Sequence, residues 1–374
     1  MLVLDTDHVV EFNRGSAEGA RLRSKLEAAT DDIAISIINT FIFSLVAALS
    51  SMNTLAAEPT RPIVIAHRGA SGYLPEHTLE AKAMAHAMEA DFIEQDVVLT
   101  KDDVPVVLHD IHLDTVTNVA EVFADRTREN GRFYAIDFTI DDIKRLRVTE
   151  RIDWKTGKAV FPRRFPEGRG RFQVPTLMEE IELIQGLNKS TGRAVGIYPE
   201  IKSPAWHRTE GKDISRIVLD VLEGYGYKDK SDNIYLQCFD AAETRRIRED
   251  LKCKLKLVQL IGENSWKESA TDFDQLRTPD GLRTVAEYAD GIGPSLNHVI
   301  RGRSSQGELE VTNLVELAHR HGLEVHPYTF RADSLPEYAD SLEDLIRVFV
   351  DEAKIDGLFT DFPDQAVSAL RHGK

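Results

Sequence analysis

The chain has 374 residues, 42% of them hydrophobic, enough to bury a large core as one barrel of about 250 residues or more, or as two smaller domains. Its net charge of −16 argues against a nucleic-acid-binding surface, which needs a clustered basic footprint, and suits a soluble enzyme that holds a cation.

Residues 1–32 begin with a short strand-like run, MLVLDTDHVVEF, carrying Asp5 and Asp7, followed by a basic helix-like segment from Ala17 to Ala29. The first 39 residues resemble the start of PIN-domain ribonucleases, whose first aspartate is a metal ligand. The remaining acidic strands of that fold have no evident place here, so the segment reads as a remnant and not as a functional nuclease. Residues 33–57 contain an apolar run, Ile33 to Ser50, interrupted by Ser36, Asn39, Thr40 and Ser44, which makes it marginal for a membrane span. With small residues up to Ala57 it reads as a signal-peptide core, although Asp31 and Asp32 stand where a signal carries basic residues. Export is expected for the natural protein, and a cytoplasmic location if the N-terminus as written prevents it.

Residues 62–374 contain eight strand-like runs: IVIAHR, FIEQDVV, VGIYPEI, IYLQCF, LKLVQLI, DGIGPS, EVHPYT and DGLFTDF. Amphipathic segments separate them, as in Thr78 to Ala90 with Leu79, Ala83, Ala87 and Met88 at helical spacing. Apolar strands alternating with helices indicate parallel βα units, and eight of them predict an α/β fold, a (β/α)8 TIM barrel. An insertion at about 111–172, after the second strand, shows little barrel periodicity. Its basic cluster Arg163, Arg164, Arg169 and Arg171 is expected to be a solvated loop.

Chemistry in such barrels sits at the C-terminal strand ends, and polar residues fall there. His67 and Arg68 follow the first strand and precede a Gly-Ala-Ser-Gly loop, where backbone N–H groups can approach a phosphate. Glu94 and Asp96 lie two apart on the second strand, hence on one face, and Glu200 and Lys202 repeat the arrangement on the third. Three converging carboxylates repel one another unless a cation sits among them, and all-oxygen ligands favour a hard ion such as Ca2+ or Mg2+ over zinc, with Ca2+ the expected ion. His109 ends the short apolar run VPVVLHD.

The runs HRGASGYLPEHTLEA, FIEQDVVLTKDDVPVVLHD, YPEIK, YLQCFD, ADGIGP, VHPYT and GLFTDFPD resemble the glycerophosphodiester phosphodiesterases, bacterial periplasmic type, from about Ile63 to the C-terminus. The resemblance implies a periplasmic enzyme that hydrolyses small glycerophosphodiesters to sn-glycerol 3-phosphate and an alcohol. It places paired catalytic histidines on His67 and His109, divalent-metal ligands on Glu94, Asp96 and Glu200, and phosphate contacts on Arg68 and Lys202. Many members carry Asn where this chain has His77, to which we assign no chemistry. Gln237, Phe239 and Phe330 are candidate substrate contacts, as are Trp206, Tyr328 and Asp361. Cys238 and Cys253 fall near opposite ends of the barrel and are expected to be free thiols. No nucleic-acid partner and no stable membrane insertion of the mature barrel are expected. Two other readings are a phospholipase-type enzyme on intact lipids and a barrel that binds phosphodiesters without catalysis.

Overall fold

Alternation along the apolar runs sets the architecture, because successive strand residues face opposite sides. The computed structural model describes residues 61–372, and the readings placed on residues 1–57 lie outside these. Parallel strands β1 (Ile63–Ala66), β2 (Phe92–Leu99), β4 (Gly196–Ile201), β5 (Tyr235–Cys238), β6 (Lys256–Ile261), β7 (Gly291–Pro294), β10 (Glu324–Val325) and β11 (Gly357–Thr360) run round a barrel. The seam between β10 and β11 closes through backbone bonds from Asp356 to Val325 (3.1 Å) and from Phe359 to Pro327 (3.0 Å). All eight expected strands are present, in a TIM barrel.

Outward residues such as Val64, Ile93, Ile197 and Leu236 pack in one core with the helices, for example with Ile181, Ile184, Val218 and Leu222. Helix starts follow the capping residues. Thr78 caps Leu79–Ala87, and Thr176 with Glu179 forms a capping box on Leu177–Thr191. Gly192 ends that second helix in the left-handed conformation, φ 72°.

Inward residues Ile65, Phe92, Tyr198, Tyr235, Val258 and Phe359 form the barrel floor. His326 lies among them, its Nδ1 2.9 Å from the Tyr198 hydroxyl. Gly357 makes room for it, since a Cβ there would stand 2.7 Å from the imidazole.

The turn after β2 leads into β3 (Pro105–Val107), antiparallel to β2. The chain then leaves the barrel and forms a small core of its own around Leu113, Phe133, Phe138, Ile143 and Val174, resting on Val98 and Val106. A second hairpin, β8 (Ile300–Arg303) with β9 (Leu309–Val311), was not apparent from the sequence pattern. Both cysteines are buried and unbridged.

Burial pushes His326 and His207 down to about 4. His207 accepts from the Leu99 N–H at Nε2 (3.2 Å) and meets the Ser203 carbonyl at Nδ1 (3.0 Å), so the neutral ring satisfies both contacts. A histidine whose folded pKa is depressed contributes stability that is complete above its unfolded value, about 6.5, and is lost as pH falls toward the folded value. Each of these two is expected to withdraw about 2 kcal/mol by pH 5. Urea unfolding at pH 7.5 and 5 checks this, and equal stability at the two pH values would refute it.

Candidate active site

Stepping up each strand from the floor reaches the polar residues singled out above. Ile65 leads to His67, Phe92 to Glu94 and Asp96, Tyr198 to Glu200 and Lys202, Tyr235 to Gln237 and Phe239, and Phe359 to Asp361. Strand register aligns them laterally, with Asp96 opposite Glu200 and Glu200 opposite Gln237. His109 comes from elsewhere: the hairpin folds back so that the Leu108 N–H bonds the Asp96 carbonyl at 2.8 Å, which returns His109 to the mouth. With the exception of Asp361, these polar side chains and Phe239 line a cavity of about 690 Å3, within the size range of small-molecule sites.

Glu94, Asp96 and Glu200 each place a carboxylate oxygen within 4.8 Å of the others, all buried. Burial and the Asp96 charge push the Glu94 carboxyl up to about 8, and burial raises Glu200 as well. Asp96 stays ionised despite its burial because Lys202 and His77 lie beside it. Three buried carboxyls this close repel one another when all are charged, and a cation among them would offset that repulsion. Asp96 Oδ1 has no hydrogen-bond partner among the described residues. A divalent cation fits this donor set.

Both histidines are anchored at Nδ1 by aspartates. His67 Nδ1 lies 2.5 Å from Asp361 Oδ1, and His109 Nδ1 2.7 Å from Asp110 Oδ1. Against the cost of burial, Arg331 and His67 hold Asp361, and Arg151 and His109 hold Asp110, well below the carboxylate range. Ionised aspartates accept, so Nδ1 carries the proton on each ring and Nε2 is left as a base. Burial, followed by Arg68, lowers His67 to about 4, and the same two causes lower the more exposed His109.

Arg68 sits at φ 59°, its N–H donating to Glu94 Oε2 at 2.8 Å and its guanidinium to Glu76 at 2.9 Å. The Arg68 Nε is buried 3.6 Å from Asp96 Oδ2 with no hydrogen-bond partner among the described residues, a donor available to an anion. Lys202 Nζ is 2.8 Å from Glu200, and the charges of Glu200 and Asp96 outweigh the burial cost to keep it protonated.

Some expectations are corrected. Phe330 is fully buried against Phe349, 4.9 Å between centroids, because the closing segment pairs with β11 and turns this ring outward into the helical layer. Trp206 stacks on Tyr134 instead of facing the cavity. Asp361 is the anchor of His67 instead of a direct substrate contact. Of the basic cluster, Arg163, Arg169 and Arg171 are exposed, whereas Arg164 is buried between Asp333 (2.8 Å) and Asp361 (2.6 Å), drawn in by those charges. Gln237 and Phe239 do line the cavity, and Gln237 donates to Glu94 at 3.0 Å.

Other contributors were missed. Arg331 lines the cavity and bonds Asp361 at 2.7 Å. Arg151, from the long insertion, bridges Glu76 and Asp110, both at 2.6 Å. Asp110 was detectable as an acid adjoining His109, whereas nothing local marks Arg151 among the insertion's arginines.

The sequence matches the Glycerophosphoryl diester phosphodiesterase family over residues 67–365. It is 45% identical over 326 residues to a glycerophosphodiester phosphodiesterase of Haemophilus influenzae, covering 83% of this chain and 90% of that one. A glycerophosphodiester phosphodiesterase of Treponema pallidum is 36% identical over 326 residues, 82% and 91% of the two chains. A solved structure from Silicibacter pomeroyi superimposes with a TM-score of 0.63 at 24% identity, covering 84% and 94%, a likeness of fold. The resemblance of the first 39 residues to PIN-domain ribonucleases is not borne out.

Proposed function

Because the chain belongs to the glycerophosphoryl diester phosphodiesterase family, we infer that it hydrolyses small glycerophosphodiesters, such as glycerophosphocholine, glycerophosphoethanolamine and glycerophosphoglycerol, to sn-glycerol 3-phosphate and an alcohol. The observation that carries this reading for these particular residues is the convergence, in one cavity, of two aspartate-anchored histidines, a carboxylate triad and two cationic side chains.

Each part answers a requirement of the chemistry. A phosphodiester is an anion and repels nucleophiles. Arg68 and Lys202 offset that charge and orient the non-bridging oxygens. Glu94, Asp96 and Glu200 would hold a divalent cation, Ca2+ on our reading with Mg2+ second, which when bound neutralises the charge developing on phosphoryl oxygens. The Nε2 of one histidine takes the proton of the attacking hydroxyl, supplied by the substrate's own glycerol or by water. The imidazolium so formed is stabilised by the aspartate at its Nδ1. The other histidine, once it has taken up a proton at Nε2 beside the anionic diester, delivers that proton to the leaving alkoxide. Gln237 keeps Glu94 oriented, and Phe239 offers an apolar wall.

Among the described exposed large hydrophobic residues only Trp266 borders the cavity, which favours small soluble diesters over intact lipids. Periplasmic location is part of the proposal, resting on the apolar run of residues 33–50 and the small residues up to Ala57.

The deciding experiment follows release of glycerol 3-phosphate from glycerophosphocholine by the purified chain, before EDTA, after it, and after adding back Ca2+ or Mg2+. Activity is expected to vanish with EDTA and return with one of the ions, and full activity in excess EDTA would refute the cation. Since the Glu94 carboxyl is pushed up to about 8 in the absence of a cation, uptake by stripped protein should release a proton and tighten as pH rises toward about 8. Calorimetry in buffers of different ionisation enthalpy reads this directly.

A further inference from the structure

Lys82, on helix Leu79–Ala87, and Glu180, on helix Leu177–Thr191, are both fully buried where the two helices pack through Ala85, Ile181 and Ile184. Their charges meet at 3.1 Å. Burying such a pair between two helices is costly, and helix packing alone does not call for it. The Lys82 ammonium makes two other contacts, donating to the Glu94 carbonyl and to His77 Nδ1, the latter at 3.1 Å. His77 is held at φ 59°, its N–H on the Arg68 carbonyl, with Nε2 2.7 Å from Asp96 Oδ2.

We propose that Glu180, Lys82 and His77 form a buried relay that fixes the His77 proton on Nε2 and so positions Asp96 to present its free oxygen, Oδ1, to the cation. An ammonium has three donors and no lone pair, so the imidazole nitrogen facing it accepts. The ring's proton is thereby placed on the other nitrogen, aimed at Asp96 Oδ2. That oxygen is taken, and Oδ1, buried and without a partner among the described residues, is the one left to bind. A carbonyl in place of Lys82 would draw the proton to Nδ1 and turn a lone pair toward the carboxylate. Glu180 Oε2 holds the ammonium from its other side at 3.1 Å. These are positioning residues, acting through Asp96, and the inference rests on the reading of Glu94, Asp96 and Glu200 as cation ligands.

The test uses the full-length chain stripped with EDTA, Ca2+ titration by calorimetry, and 15N spectra of histidine-labelled protein. Lys82→Met is combined with Glu180→Gln so that neither charge stays buried alone, and thermal unfolding verifies that each variant is folded. His77→Leu removes the donor, whereas His77→Gln keeps an N–H at a similar reach. The double variant and His77→Leu are expected to weaken Ca2+ binding about 10- to 100-fold, and His77→Gln to stay within a few-fold of the native protein. The native His77 ring should show the Nε2–H tautomer, and the double variant should lose that preference. Asp96→Asn separates the two levels of the argument. If it binds Ca2+ like the native chain, the ligand assignment fails and the relay has nothing to position. If it abolishes binding while His77→Leu and the double variant bind normally, or if native His77 is protonated on Nδ1, the relay is overturned and the ligand assignment stands.

Discussion

Alanine at His67 or at His109 is expected to lower kcat on glycerophosphocholine about a hundred- to ten-thousand-fold while leaving the unfolding midpoint nearly unchanged. His67 is held by Asp361 and His109 by Asp110, so neither ring is a structural prop whose loss opens the barrel. Removing both should cost little more than removing one, because the two proton transfers belong to a single displacement. Asp361→Asn tests the anchoring separately. Its amide can present an N–H to Nδ1 and favour the wrong tautomer, so a loss approaching that of His67→Ala is expected with KM little altered. Steady-state rates on variants of matched thermal stability provide the check. Near-native turnover in both single alanine variants would remove the histidines from the mechanism.

The second large effect is on stability. Arg151 is 14% exposed and connects Glu76, which also holds Arg68, to Asp110, which holds His109. The guanidinium of Arg151 offsets the burial of both carboxylates and keeps them ionised. Arg151→Met leaves two partly buried acids short of their counter-charge, for which a loss of about 3 kcal/mol is expected. It should also slow turnover beyond any loss of folded protein, since Asp110 would no longer be held against His109. Adding Glu76→Gln should recover part of the stability without restoring the rate. Urea unfolding together with activity at a temperature where all variants are folded separates the two effects. A stability change under about 1 kcal/mol would show that the network is solvated in practice.

Much of the site was legible because strand periodicity carries it. Glu94 with Asp96 on β2, and Glu200 with Lys202 at the end of β4, are two apart and so share the inward face above Phe92 and Tyr198, and their convergence on the barrel mouth follows from the pattern. Where the backbone leaves that periodicity, sequence reasoning failed. Phe330 looks like the end of a seventh strand, but regular pairing of β10 covers only Glu324–Val325, and the closing segment turns Phe330 away from the cavity. Arg164 looked like one of four solvated arginines, yet it alone is drawn between Asp333 and Asp361.

By itself, then, the sequence determined the barrel, its eight strands and the carboxylates, histidine and lysine at their ends, because those depend on local periods of two and on helix caps a few residues long. Tertiary structure alone decided which aspartate orients which histidine, that His109 returns to the mouth by an antiparallel hairpin, and that Arg151 and Arg164 reach in from the insertion. Asp361 and His67 are 294 positions apart, and Arg164 and Asp361 are 197. Contacts of that range leave no periodic trace, since a charged side chain in a loop looks the same in the sequence whether water or a buried carboxylate is its partner.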